Sequence, residues 1–236
     1  MAGVTWAAIV VAAGRGTRFG RPKQLLDLAG LPMVGWAIRT FAAMPEVAEL
    51  IVVTEPDWAP AVRDVAARLA PARAVRVIDG GSSRQASVCN GLRAVPPRCD
   101  ATFVHDGARP LVLAADVRAG MGEVRDGRAA LLATPAVDTM KIVDPATLAI
   151  VATPDRATLW SAQTPQLAMT ADLARAHERA RREGVDATDE ASLLERIGVD
   201  VVVVPGSSEN FKVTLAEDFE RAQVILLGRT AAGKPT

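Results

Sequence analysis

Lysine is scarce in this 236-residue chain: there are 23 arginines but only four lysines, Lys23, Lys141, Lys212 and Lys234. A lysine is a compact point charge on a flexible stem, which a planar guanidinium does not reproduce, so each internal lysine marks a place where that form of charge is wanted. Net charge is also missing, with 27 basic residues against 27 acidic ones. That balance argues against broad nucleic-acid binding, which needs a surplus of cations on one face. The expected ligand is small and met by a local charge cluster. Only two cysteines occur, Cys89 and Cys99. They give neither a disulfide framework nor a metal-ligand spacing, and a reducing compartment is expected. The two histidines, His105 and His177, have no serine or cysteine nucleophile in an evident pair with them and read as structural. No apolar run approaches the ~20 residues that span a bilayer. The apolar stretch within Met1–Ala13 lacks the basic region and A-x-A pattern of a leader and reads as a first strand. The expectation is a soluble, cytoplasmic protein.

What is present is half hydrophobic and 23% charged, enough to bury a sizeable core. Short apolar runs alternate with helical stretches, the pattern of βαβ units in a mostly parallel sheet with helices on both faces. Strands are expected at 7–11, 50–53, 75–78, 102–104, 130–133 and 201–204, and helices at 32–43, 59–69, 84–95, 115–124, 171–183, 189–197 and 216–227. The segment 138–157 breaks this rhythm. Two apolar runs flank Asp144-Pro145-Ala146-Thr147, which signals a β-hairpin. A hairpin protruding alone is unstable in water, so it reads as an arm that embraces a second subunit; the alternative is an antiparallel edge pair in the main sheet. The expected organisation is one domain over 1–229 and a flexible polar tail over 230–236.

The first strand runs into AAGRGTRFGRPKQ, residues 12–24. Gly14, Gly16 and Gly20 let backbone N–H groups come close to a ligand. Arg15, Arg18, Arg21 and Lys23 add cations, and no carboxylate occurs before Asp27. A strand, a glycine-rich loop and clustered cations make a polyphosphate cradle. It is not the dinucleotide fingerprint, because Phe19 stands where the third glycine belongs, nor does it match a P-loop. Further polar residues follow the apolar runs, where open α/β sheets bind ligands. Gly80 and Gly81 suit backbone contact with a base or ribose, while Ser82 or Ser83 suits the cap of the next helix. Asp106 is placed to meet Mg²⁺ or a substrate hydroxyl, and Arg109 either clamps a phosphate or pairs with Asp106.

Seven segments in this order, AAGRGTRFGRPKQ, GGSSRQASV, VHDGARP, TPAVDTMK, DRATLWSAQTPQ, ATDEAS and FKVT, resemble the 2-C-methyl-D-erythritol 4-phosphate cytidylyltransferase family across residues 7 to about 227. The ribitol 5-phosphate cytidylyltransferases are similar in the first half. The segments DTMK, DR…LW…TPQ and TDEAS favour the methylerythritol branch. The resemblance implies a Rossmann-like nucleotidyltransferase fold and transfer of CMP from CTP to 2-C-methyl-D-erythritol 4-phosphate, with Mg²⁺ and release of pyrophosphate, in the non-mevalonate route to isoprenoids. It implies that Arg18 and Lys23 stabilise the transition state at the α-phosphate. Ala12, Ala13, Gly14 and Gly16 would hold the nucleotide by backbone, with Gly81 and Ser87 on the cytosine and ribose side. Thr139, Arg156, Thr188 and Lys212 would hold the acceptor, with Asp106 and Arg109 nearby and Asp106 the one protein contact to a metal held mainly by CTP. Arg156 and Lys212 would aim the attacking phosphate, and the 138–157 arm would reach across a homodimer. The loop between Arg18 and Lys23 is short for this family, and Gly107 stands where an alanine is usual. Two other readings stay open: a transferase for another alditol phosphate, and a nucleotide-binding module without catalysis.

Overall fold

Alternation inside the apolar strands decides which side chain meets which helix layer. In the computed structural model, which describes residues 3–14 and 23–233, strand β1 (Trp6–Val11) sends Ala8 and Val10 to one face and Ile9 to the other. Strand β6 (Ala101–Asp106) does the same with Phe103 and Val104. Both faces are therefore covered, as near-continuous apolar runs require.

Seven strands form the main sheet, in the order β11-β7-β10-β6-β1-β4-β5. The others are β4 (Val47–Thr54), β5 (Val75–Asp79), β7 (Arg128–Pro135), β10 (Trp160–Met169) and β11 (Asp200–Pro205). The pairings β5-β4-β1-β6 and β7-β11 are parallel, whereas β10 runs antiparallel to both neighbours. Helices α1 (Met33–Ala42), α2 (Ala59–Leu69) and α4 (Ala114–Glu123) pack on one face around Phe41 and Phe103, whose rings meet edge-on at 4.9 Å. Helices α3 (Arg84–Ala94), α5 (Thr170–Glu183) and α6 (Glu190–Arg196) cover the other. Helix α7 (Ala216–Ala231) lies outside α1, burying Ala222 and Leu226 with Met33 and Trp36. The short pair β2 (Asp27–Leu28) and β3 (Leu31–Pro32) leads into α1.

The six strands expected from apolar runs and the seven expected helices all form, with ends shifted by at most a few residues. The sequence reading missed the short pair β2-β3 and the ten-residue β10. Its register shifts between Ala162 and Gln166, and Pro165 sits in that irregular stretch. A central strand tolerates proline only where the ladder is interrupted. Helix α7 continues to Ala231, so the first two residues of the expected tail are helical. Strands β8 (Ile142–Val143) and β9 (Ile150–Ala152) pair antiparallel in a two-stranded sheet of their own, not at an edge of the main sheet. Asp144 closes the turn between them, accepting hydrogen bonds from the amides of Ala146 and Thr147.

His105 and His177 are both buried, and neither is set up as a catalytic base. His105 donates from Nε2 to the Arg109 carbonyl and accepts at Nδ1 from the Thr164 hydroxyl. Burial, with the Arg84 charge adding to it, lowers the pKa of His177 to about 4. An unfolded chain would protonate this ring near pH 6.5. Between pH 6.5 and 4 the unfolded state thus binds more protons, and stability falls as the pH is lowered. The expected loss from His177 is on the order of 2–3 kcal/mol. Urea midpoints measured across that range should decline less steeply in His177→Gln.

Candidate active site

Strands β1, β4, β5 and β6 are parallel, so their C-terminal ends open on one edge of the sheet. A cavity of about 720 Å³ lies there. Its walls come from Val11, Ala13 and Gly14 after β1, Glu55 and Pro56 after β4, the 80–84 turn after β5, Ser87, Asp106, and the loop bearing Lys212. This is the crevice where open α/β sheets hold ligands.

The turn after β5 is shaped by glycine. Gly80 donates to the Thr54 carbonyl at 2.7 Å, and a methyl added to it would lie 2.5 Å from Ala13 Cβ. At Gly81 the clash would be with Ala86, again at 2.5 Å. Ser83 caps α3 by accepting from the Ala86 amide at 3.1 Å, as expected for one of the two serines. Ser87, buried beneath the turn, accepts from the Gly81 amide and donates to the Ser83 carbonyl. Its hydroxyl therefore holds the turn in place from the cavity wall. We expect Gly80→Val to push this turn from Ala13 and weaken CTP binding roughly tenfold or more, read by calorimetry. Unchanged affinity would remove the turn from the nucleotide site.

Lys212 reaches the cavity because the loop after β11 is tied down on two sides. Val213 donates its amide to the Ala108 carbonyl at 2.8 Å, and Lys23 donates Nζ to the Val213 carbonyl at 2.8 Å. Asn210, fully buried, donates to Gln163 Oε1 and to the Thr164 carbonyl in the irregular part of β10. The break in the β10 ladder thus exposes groups that anchor the lysine loop. Lys212 Nζ then lies 2.8 Å from Asp106 Oδ2.

Asp106 is the electrostatic centre. Its Oδ1 accepts from Arg84 Nε at 3.1 Å, and Arg84 also forks onto both oxygens of buried Glu190, at 2.8 and 3.0 Å. Burial alone would raise the Asp106 carboxyl, but the charges of Arg84 and Lys212 outweigh it and hold the group well below the usual carboxylate range. For Glu190 the balance is reversed: burial outweighs Arg84 and raises its pKa. No cluster of three or more His, Cys, Asp or Glu able to hold a metal occurs among the described residues. Both Asp106 oxygens already meet cations. The two carboxylates that line the cavity among the described residues, Glu55 and Asp106, are too few to enclose a divalent ion by themselves but could each give it an oxygen.

The structure sorts the expected site residues into groups. Ala13, Gly14, Lys23, Gly81, Ser87, Asp106 and Lys212 share the cavity. Ala12 is buried beside it, its amide committed to the Val53 carbonyl at 2.7 Å. Arg109 is half-buried, and its guanidinium serves the Asn210 and Ala162 carbonyls at 2.7 and 3.4 Å. Arg109 makes no direct hydrogen bond to Asp106, which meets Arg84 and Lys212 instead, although its charge helps to lower the Asp106 pKa. Thr139, Arg156 and Thr188 are exposed and lie off the cavity wall. Arg156 donates to the Val137 carbonyl at 2.8 Å, next to the β8-β9 pair. Arg15, Gly16, Arg18 and Arg21 fall outside the described residues. Sequence reasoning passed over Gln24, Arg84 and Glu190. All three stand within quoted segments, but nothing in their spacing distinguishes them from surface residues. At Gly107, an alanine methyl would sit 3.1 Å from Gln24 Oε1 and 3.2 Å from the Val11 carbonyl oxygen, so the usual residue needs a small adjustment of backbone as well as of that side chain.

Comparison with known proteins agrees with this arrangement. The family model for 2-C-methyl-D-erythritol 4-phosphate cytidylyltransferase matches residues 6–228. A protein of that name from Streptomyces avermitilis is 44% identical, over 96% of this chain and 94% of its own length. Another, from Solibacter usitatus, is 39% identical over 93% and 95%. Among solved structures, a 4-diphosphocytidyl-2C-methyl-D-erythritol synthase from Anaerococcus prevotii superposes with a TM-score of 0.85 at 26% identity, covering 95% of this chain and 99% of that one. The cytidylyltransferase of Thermus thermophilus gives 0.77 at 28% identity, covering 93% and 98%.

Proposed function

The chain belongs to the 2-C-methyl-D-erythritol 4-phosphate cytidylyltransferase family, and on that premise we propose how its residues divide the work of the reaction. The enzyme transfers CMP from CTP to 2-C-methyl-D-erythritol 4-phosphate, releasing pyrophosphate, in isoprenoid synthesis. An oxygen of the acceptor's phosphate attacks the α-phosphorus of CTP while the bond from that phosphorus to the β-phosphate bridging oxygen breaks. The acceptor phosphate has a second pKa of ~6 and is already anionic near neutrality, so no general base is required. Two neutral, buried histidines are consistent with that.

The difficulty is bringing anion to anion, which is a matter of positioning and charge. The observation that carries the assignment is Lys23 and Lys212 on one cavity wall with Asp106, beside a glycine turn pressed against Ala13. Lys23, with Arg18, stabilises the charge that builds at the α-phosphate. Ala13, Gly14 and Gly81 hold the nucleotide through their backbone, with Ala12 and Ser87 shaping that wall and Gly16 assigned to the nucleotide by its place in the segment alone. Lys212 orients the acceptor phosphate, and Asp106 would meet an acceptor hydroxyl or give an oxygen to Mg²⁺. Arg109 acts through the loop it anchors. When bound, Mg²⁺ neutralises the triphosphate.

Thr139 and Arg156 complete the acceptor site by approaching it from a second copy of the chain, and Thr188, outside the 138–157 arm, serves the acceptor with them. Val137, Met140, Ile142, Val143, Leu148, Ile150 and Val151 are all exposed around the β8-β9 pair. So much apolar surface on one small sheet favours a covering partner. The enzyme is thus a homodimer through residues 138–157. No helix among the described residues is long and apolar enough to cross a membrane, which fits work on soluble substrates in the cytoplasm.

The direct test follows pyrophosphate release from CTP, Mg²⁺ and the methylerythritol phosphate, with ribitol 5-phosphate as acceptor and ATP or UTP as donor in parallel. Rapid release only with CTP and methylerythritol phosphate is expected. Release only with ribitol phosphate would reassign the acceptor, and CTP binding without release would leave a non-catalytic module.

A further inference from the structure

Glu190 is a charged residue with no access to substrate. It is only 1% exposed at the start of α6, and both its oxygens take hydrogen bonds from the terminal nitrogens of Arg84. Arg84 does reach the cavity wall, and its remaining donor, Nε, holds Asp106 Oδ1. Each of the three residues belongs to a different part of the site. Arg84 opens α3, directly after the turn containing Gly80 and Gly81. Asp106 ends β6. Glu190 stands two residues after Thr188. A guanidinium that forks onto one carboxylate has a fixed plane, so its third donor has a fixed direction.

Resting on the reaction assigned above, we infer that Arg84, anchored by Glu190, is a positioning residue for the transfer. It holds Asp106 in one orientation, and through Asp106 it sets Lys212. Asp106 Oδ1 is occupied by Arg84, so the carboxylate presents Oδ2 to Lys212 at 2.8 Å. Were Arg84 removed, Asp106 would turn about its side-chain bonds and the lysine would lose its fixed counter-charge. Lys212 would then spread over several rotamers, and the attacking phosphate would lose its line to the α-phosphorus. Glu190 contributes by keeping Arg84 from following Asp106 or a bound phosphate. Misplacement of about 1 Å at a reacting group costs on the order of 10²-fold in rate, which sets the size of the expected effect.

The experiment compares full-length Arg84→Ala, Arg84→Lys, Glu190→Gln and the Arg84→Ala/Glu190→Gln double variant with wild type. It measures kcat, KM for methylerythritol phosphate, CTP affinity by calorimetry, and melting temperature. Arg84→Ala should lower kcat roughly 10–100-fold and raise the acceptor KM, with CTP affinity unchanged. Arg84→Lys should recover little, because an ammonium cannot make the fork. Glu190→Gln, nearly isosteric, should fold and still lose roughly tenfold in kcat, and the double variant should be no slower than Arg84→Ala. Added methylguanidinium should restore Arg84→Ala saturably where methylammonium does not. CTP affinity falling in step with kcat would overturn the inference, since Arg84 would then be a nucleotide contact. Additive losses in the double variant, or full activity in Glu190→Gln, would also overturn it. Wild-type protein that released no pyrophosphate would instead defeat the reaction assignment, and this inference with it.

Discussion

Lys23→Ala is expected to lower kcat by roughly 10²–10³, the usual cost of one transition-state donor. Lys23 opens a short 3-10 turn, and its ammonium lies on the cavity wall 2.8 Å from the Val213 carbonyl. That hydrogen bond ties it to the loop presenting Lys212, so the two lysines approach the cavity from adjoining backbone. As the acceptor oxygen bonds to the α-phosphorus, negative charge concentrates between the two phosphates, and a cation already in place stabilises that charge without reorganising. Pyrophosphate release at saturating CTP and acceptor measures the effect. Lys23→Arg should recover only part of it, because a planar guanidinium does not place its charge at one point. Turnover near the wild-type rate in Lys23→Ala would remove it from the catalytic group.

Arg156→Ala should lower kcat/KM for methylerythritol phosphate roughly 10²-fold or more, the scale of truncating one partner of a desolvated charge pair, with CTP affinity unchanged. Within one chain this is an odd expectation, since Arg156 is exposed, off the cavity wall, and bonded to the Val137 carbonyl. It follows only if a second copy brings the residue in. Mixing therefore gives the sharper test. In a two-fold dimer, Lys23→Ala and Arg156→Ala subunits exchanged at random should form hybrids with one site free of both substitutions. Recovered activity should approach about one quarter of wild type, although each variant alone is nearly inactive. A mixture no more active than its components would sink the shared-site arrangement.

The layered architecture was legible because it rests on local pattern. Continuous apolar runs and helical periodicity placed six strands and seven helices, and Gly184 and Gly198 mark helix ends with the positive φ angles, 65° and 79°, that glycine adopts freely. Strand β10 was not legible, nor was the two-residue pair β2-β3. The residues of β10 are mixed in character and include Pro165, because the strand interrupts its own ladder to let Gln163 and Thr164 hold Asn210. The site divided in the same way. Lys23, Asp106 and the glycine turn announced themselves by residue type and by standing at strand ends, whereas Arg84 looked like one of many arginines.

By itself, then, the sequence determined the sheet-and-helix framework and, through seven ordered segments, the family. Those are properties of residue type and short-range order along the chain. Only the tertiary structure decided that Asp106 is shared by Arg84 and Lys212, that Arg109 donates to the Asn210 carbonyl, and that Glu190 anchors the group from inside. Each of these depends on segments about 20 to more than 100 residues apart meeting at hydrogen-bond distance. Directional contacts of that range leave no periodic trace in a sequence, because a partner is chosen by where it stands in space and not by its distance along the chain.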